Sequence, residues 1–174
     1  MELLERFALG DREAFEAVFQ LFQGEVYAWI VRIVRDRAAA EDLTVETFWK
    51  IWRARGRFDP AREFGAWARR IATHTAIDYL KRARRETGLP PNLPEAPLPD
   101  PAEQRELHDA VRRAFRALPV KLQAVATLAL IEQRPHAEIA EALGISRAAV
   151  KSREFRAVHL LRKKLSLLGW SHAT

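Results

Sequence analysis

Six of the nine prolines fall between Pro90 and Pro101, and this one tract sets the architecture open to the chain. Proline lacks the backbone N–H that helix and sheet interiors need. Residues 87–104 therefore read as an extended connector rising about 3.1 Å per residue, on the order of 50 Å when stretched. Its charges are Glu95, Asp100 and Glu103, with no basic residue. The connector leaves room on either side for one small domain of roughly 80 residues. The expected division is 1–86, 87–104 and 105–174.

Composition narrows the class. With 48% hydrophobic and 30% charged residues the chain has material for packed cores, which excludes wholesale disorder. Cysteine is absent, which removes disulfide frameworks, thiolate zinc sites and cysteine nucleophiles together. The five histidines are scattered, so no metal site and no cofactor are expected. No apolar run approaches the roughly 18 residues of a membrane span, and a start carrying Glu2 and Glu5 is unlike a signal peptide. A cytoplasmic protein without membrane insertion is expected.

Apolar residues on both sides of the connector recur at helical spacing. Asp11 suits the N-cap of a helix carrying Ala14, Phe15, Val18, Phe19 and Phe22, continued by Val26, Trp29, Ile30, Ile33 and Val34. Asp36 can cap a further helix whose stripe is Leu43, Phe48, Ile51 and Trp52. Asp59-Pro60 marks a loop over 56–63. The spacing then predicts a long helix over 64–85, with Ala68, Ile71, Ala72, Thr75 and Tyr79 facing inwards. No strand-like alternation with hairpin signals occurs. The fold class is all-α, two small helical domains joined by the proline-rich connector.

Charge is unevenly placed. Residues 1–50 hold six basic and ten acidic side chains, whereas 69–85 hold six basic ones against Asp78 alone. Residues 105–174 hold thirteen basic and six acidic side chains. Regions of opposite sign attract different partners, and the two basic regions point to nucleic acid.

Residues 135–157 have the organisation of a helix-turn-helix. Pro135 suits a first helical turn, Ile139, Ala140 and Leu143 supply an apolar face, and Gly144 permits the left-handed conformation that ends the helix. Ser146 caps the second helix, and Val150 returns to the core. That second helix carries Arg147, Lys151, Ser152, Arg153, Phe155 and Arg156. A helix of this kind fits the major groove, where Arg and Lys reach guanine edges or phosphates. A basic solvated helix in an ordinary bundle is the plainer alternative. Arg162, Lys163 and Lys164 lie beyond the motif and suit backbone contacts or solvent.

The N-terminal half discriminates further. Ala40-Glu-Asp-Leu-Thr-Val-Glu-Thr-Phe-Trp-Lys-Ile-Trp52, then Phe58, then Phe64-Gly-Ala-Trp-Ala-Arg-Arg-Ile-Ala-Thr-His-Thr-Ala-Ile-Asp-Tyr-Leu-Lys-Arg82, closely resembles conserved region two of bacterial sigma factors. The helix-turn-helix, with the preceding Leu118-Pro119, resembles their region four. The bare connector, lacking a folded region three, resembles the extracytoplasmic-function (ECF) subfamily. Two motif blocks in the right order are far more specific than either alone.

This resemblance implies a non-catalytic transcription factor that binds core RNA polymerase, chiefly through the β′ coiled coil and also the β flap, and directs it to promoters. The helix with Asp42 and Glu46 becomes the docking surface, with Asp42, Leu43, Glu46 and Phe48 as its contacts. The two carboxylates lie four apart on one helical face, which also suits ordinary surface ion pairs. Leu43 and Phe48 fit the core equally well. Val45 stands where many relatives have glutamine.

The same resemblance assigns the melted −10 element to Phe58, Arg70, His74, Lys81 and Arg85, with Phe58 and His74 near the pocket for a flipped base. Along that stripe Ile77 is an interruption. Trp49, Trp52 and Trp67 are alternative melting residues, with core packing favoured for Trp52 and Trp67. The double-stranded −35 element falls to Arg147, Lys151, Ser152, Arg153, Phe155 and Arg156. His74 replaces a common asparagine, Glu154 an often apolar residue, His136 an often aromatic one, and Pro135 a common Ser or Thr cap. The connector is expected to thread toward the active-site and RNA-exit channels, its acids imitating nascent RNA. An anti-sigma factor is a further partner that the subfamily admits.

Two other classes compete. A conventional helix-turn-helix regulator with an N-terminal sensing or dimerisation domain would bind its duplex unaided, whereas a sigma factor binds promoters well only with core enzyme. An enzyme built on Asp42, Glu46 and a histidine would need a phosphate loop, a nucleophile arrangement or clustered metal ligands, and the sequence offers none of these.

Overall fold

The computed structural model describes residues 2–88 and 102–167. The body of the proline-rich connector, with Glu95 and Asp100, lies outside the described residues, as does the Glu103 side chain. Helices follow in the order α1 (Leu3–Ala8), α2 (Arg12–Val34), α3 (Arg37–Ala54), α4 (Phe64–Thr87), α5 (Ala102–Arg116), α6 (Val120–Ala126), α7 (His136–Leu143) and α8 (Arg147–Leu167). A 3-10 turn over Arg55–Arg57 follows α3, and a π-helical turn over Thr127–Ile131 continues α6. No strand occurs among the described residues, and the fold is all-α. The connector is shorter than its composition indicates, because Ala102, Glu103 and Gln104 form the first turn of α5 and Thr87 the last of α4.

The chain divides into two compact units, Met1–Tyr79 with Glu141–Gly144 and Leu80–Ala140 with Ile145–Thr174. In the first, both expected caps form. The Asp11 carboxylate accepts from the Ala14 N–H at 3.2 Å, and that of Asp36 from Ala39 at 3.0 Å. Each satisfies an amide that has no partner inside its own helix. Arg35, with φ 57°, makes the sharp break between α2 and α3.

Helix α1 was not legible from sequence, yet it plugs the unit. Phe7 is fully buried against the rings of Phe15, Phe58, Phe64 and Trp67, with centroids 5.6–6.5 Å away. Helix α3 buries Ala40, Leu43, Thr44, Thr47, Phe48 and Ile51. The hydroxyls of Thr44 and Thr47 donate to the carbonyls of Ala40 and Leu43, each at 2.7 Å, so neither is buried unsatisfied. On α4 the buried set includes Ala68, Ala72, Thr73, Thr75, Ala76 and Ile77, mostly small residues that allow close helix approach. Trp29 spans the resulting core, its indole N–H donating to Thr73 Oγ1 at 2.8 Å.

The second unit packs α5, α6 and α8 around Ala114, Phe115, Leu118, Leu122, Ala126, Ala157 and Leu161. Arg84, on the last turns of α4, closes the exposed end of α5. Its Nη2 donates to the carbonyls of Arg116 (2.9 Å) and Leu118 (2.8 Å) and to Gln123 Oε1 (3.1 Å). A cation suits that position because terminal helix carbonyls carry partial negative charge.

Candidate functional site

Three helices present charged faces. On α3 the exposed residues are Arg37, Ala38, Glu41, Asp42, Val45, Trp49 and Arg53. Glu46 is half-buried and pairs with Lys50 Nζ at 2.9 Å, while Lys50 also donates to Thr75 Oγ1 at 3.2 Å. Asp42 and Glu46 thus lie at the surface as expected. Leu43 and Phe48 do not. They are 3% and 2% exposed, and the Phe48 ring lies 4.8 Å from that of Phe19. The apolar centre of this face is instead Val45 and Trp49, each 64% exposed and one helical turn apart. Beside it runs an open groove of about 620 Å³ between α2 and α3, lined by Phe19, Leu21, Gly24, Tyr27, Glu41 and Val45 among others. Gly24 has open space where a Cβ would stand, so it widens the groove.

The second face runs along α4. Arg70, His74, Lys81 and Arg85 are all exposed. The residue that interrupts them is Asp78, not Ile77, which is 8% exposed and packs inwards. One residue is 100° of helix rotation, enough to exchange the two. Near the start of the stripe a pocket of about 430 Å³ is lined by Lys50, Ala54, Arg57, Trp67, Arg70, Ile71, His74, Thr75 and Asp78. His74 Nδ1 lies 2.7 Å from the Arg70 carbonyl, which can only accept. Nδ1 therefore carries the proton, and Nε2 is the nitrogen left for a ligand.

Phe58 requires a correction. It is 5% exposed and packs against Phe7, Phe64 and Trp67 at 4.9–6.1 Å, so no base can stack on it here. The aromatic residue that lines the pocket is Trp67, which sequence reasoning favoured for the core. Trp52 does pack inwards, its ring 4.9 Å from Phe15 and covered by the Arg55 guanidinium at 4.2 Å. Arg69 also stays off the stripe, since it pairs with Glu25 across to α2.

The third face is the helix-turn-helix. Gly144 has φ 65°, and Ser146 Oγ accepts from the Ala149 N–H at 3.1 Å. Ile139, Ala140, Leu143 and Val150 are buried at the angle between the helices. On α8, Arg147, Lys151, Ser152, Phe155 and Arg156 are exposed, Phe155 at 75%. Arg153 is half-buried, because it sits beside the core face of Val150, Ala157 and Leu161. His159, Arg162 and Lys163 extend the exposed face. Of these His159 was missed, though its i+4 relation to Phe155 was available in the sequence. Among the described residues no group of three or more His, Asp or Glu is placed to hold a metal ion. No helix there is long and apolar enough to cross a membrane.

These features define an all-α protein of two units with an acidic cluster beside exposed Val45 and Trp49 on one helix and cationic faces on two others. Residues 18–86 match the sequence profile of Sigma-70 region 2, and residues 108–161 that of Sigma-70, region 4. The RNA polymerase sigma factor CarQ of Myxococcus xanthus is 34% identical over 172 residues, covering 95% of this chain and 97% of its own length. The RNA polymerase sigma-H factor of Pseudomonas aeruginosa is 31% identical, with 96% and 94% covered. The ECF RNA polymerase sigma factor BldN of Streptomyces coelicolor is 34% identical over 95% of this chain, which spans 65% of BldN.

Among solved structures, CnrH in complex with the cytosolic domain of CnrY shares the fold, with a TM-score of 0.58 at 24% identity over 95% of this chain and 96% of that one. The sigma factor RpoE of Bartonella quintana, in complex with the anti-sigma factor NepR, superimposes at 0.53 and 21% identity over 88% and 97%. The chain belongs to the RNA polymerase sigma factors, the family that directs RNA polymerase in transcription initiation.

Proposed function

We propose that this chain places core RNA polymerase on specific promoters and that three helices divide the work. The observation that carries this is the sign and exposure of three surfaces, the acidic cluster Glu41, Asp42 and Glu46 around Val45 and Trp49 on α3 and the cationic faces of α4 and α8. Asp42, Val45, Glu46 and Trp49 dock on a basic coiled coil of the polymerase β′ subunit, with acid attracting the partner and Trp49 anchoring it. Arg70, His74, Lys81 and Arg85, with Arg57 and Trp67, hold the melted −10 strand, stacking and backbone charge together serving single-stranded DNA. Arg147, Lys151, Ser152, Phe155 and Arg156 read the duplex −35 element, and the same unit meets the β flap. The working modules are 1–86 and 105–174, joined by the acidic connector. The factor acts in the cytoplasm, where an anti-sigma partner would restrain it by covering the α3 face.

Run-off transcription with purified core enzyme, the full chain and fragmented genomic DNA tests this. Discrete transcripts are expected only when the chain is present. Asp42→Lys with Glu46→Lys should abolish both transcripts and association with core enzyme while the circular dichroism spectrum stays unchanged. Lys151→Ala with Arg156→Ala should weaken promoter selection and leave core association intact. Transcripts that persist without the chain, or that survive the double charge reversal, would refute the assignment.

A further inference from the structure

His136 and Glu154, 18 positions apart in the sequence, meet in the structure. His136 Nε2, on the first residue of α7, lies 2.6 Å from Glu154 Oε2, two turns into α8. Both side chains are half-buried, at 31% and 25% exposure. Glu154 is the single acid on α8, whose other charged residues include Arg147, Lys151, Arg153, Arg156, Arg162, Lys163 and Lys164. A lone carboxylate on such a helix opposes phosphate binding. It also lies three residues from Lys151, close enough to pair with that exposed cation if released. The turn through Gly144 and Ser146 joins the helices at one end, and the contact of His136 with Glu154 ties them at the other. Arg134 and Glu138, 3.9 Å apart, form a separate pair beside it.

We propose that His136 is a positioning residue for DNA reading: it holds the Glu154 carboxylate against α7, which keeps that acid off the DNA and leaves Lys151 for the phosphate backbone. The imidazole N–H donates to the carboxylate, and when protonated the ring cancels its charge as well. His136 needs no contact with DNA itself. This rests on the promoter-reading role given to α8 above.

The test uses holoenzyme formed from core polymerase and the full chain, with the genomic fragment that wild type transcribes best as the probe. His136→Ala should weaken promoter binding about tenfold and make the salt dependence shallower by about one charge. Adding Glu154→Gln to that variant should restore both, because the glutamine has the same shape without the charge. Glu154→Gln alone should bind within about twofold of wild type or more tightly, a readout that stands even if His136→Ala folds poorly. Core association should be unchanged in all three. Failure of Glu154→Gln to rescue, an unchanged salt slope in His136→Ala, or a tenfold loss in Glu154→Gln alone would each overturn the proposal. If wild-type holoenzyme selects no fragment at all, the failure belongs to the proposed function instead.

Discussion

Replacing Phe7 by alanine tests whether α1 belongs to the first unit. The ring is 0% exposed and touches four aromatic neighbours drawn from α2, the end of the 3-10 turn and α4. Phe→Ala at a buried site costs about 3–5 kcal/mol, more where the surroundings cannot collapse. Here Phe15, Phe58, Phe64 and Trp67 each have other ring partners holding them apart, so a value of about 4 kcal/mol is expected. That is nearly a thousandfold in the folding equilibrium, and about 15–30 °C in melting temperature for a unit of this size. Four of the five tryptophans, Trp29, Trp49, Trp52 and Trp67, lie in this unit, so urea unfolding followed by fluorescence reports on it selectively. Leu9→Ala is the control: Leu9 is 77% exposed and should change stability by less than about 0.5 kcal/mol. A Phe7→Ala cost below about 1 kcal/mol would mean that α1 does not clamp Phe58 and Trp67.

Three further outcomes are expected. Gln133 adopts φ 51° without being glycine, so Gln133→Gly should raise the stability of the second unit by about 1 kcal/mol in urea titrations, and a decrease would show that the turn is held by the side chain. Trp49→Ala should weaken association with core polymerase by tens of fold with little change in melting temperature, since the ring is 64% exposed in the free chain. Fluorescence from Trp49 in a background lacking the other tryptophans should shift to the blue on binding, and an unshifted spectrum would remove it from the interface.

The third concerns acid. The Ala14 N–H, and after it the Arg6 guanidinium, hold the Asp11 carboxyl below its ordinary value. A depressed folded value means that the charge stabilises the fold above the unfolded carboxylate range, near pH 4, and that this contribution fades as pH falls through the folded value. The stability difference between wild type and Asp11→Asn should therefore be constant above about pH 4 and shrink below it. A difference that grew on acidification would contradict the cap.

The helices with local signals were legible without any tertiary information. Asp11, Asp36 and Ser146 each accept the amide N–H three residues on that their position predicts, and Gly144 takes the left-handed conformation that ends α7. These features depend on neighbours within four residues, so the chain itself encodes them. Charge blocks were equally visible, because a row of arginines cannot be buried unpaired and must face solvent or a partner.

Facing direction was another matter. Periodicity assigns a stripe only to within one residue, and the neighbouring helix chooses between candidates. That choice settled Leu43 and Phe48 in the core, where the apolar stripe also put them, buried Phe58, left Val45 and Trp49 outside, and exchanged Ile77 for Asp78 on the α4 surface. It also joined His136 to Glu154, 18 positions apart, which no spacing rule connects. Sequence alone determined that the chain carries an acidic cluster on one helix and two basic helices, since helix formation, capping and charge are short-range properties. Tertiary structure alone decided which side chains those helices display, because burial is set by the partner surface that each helix meets.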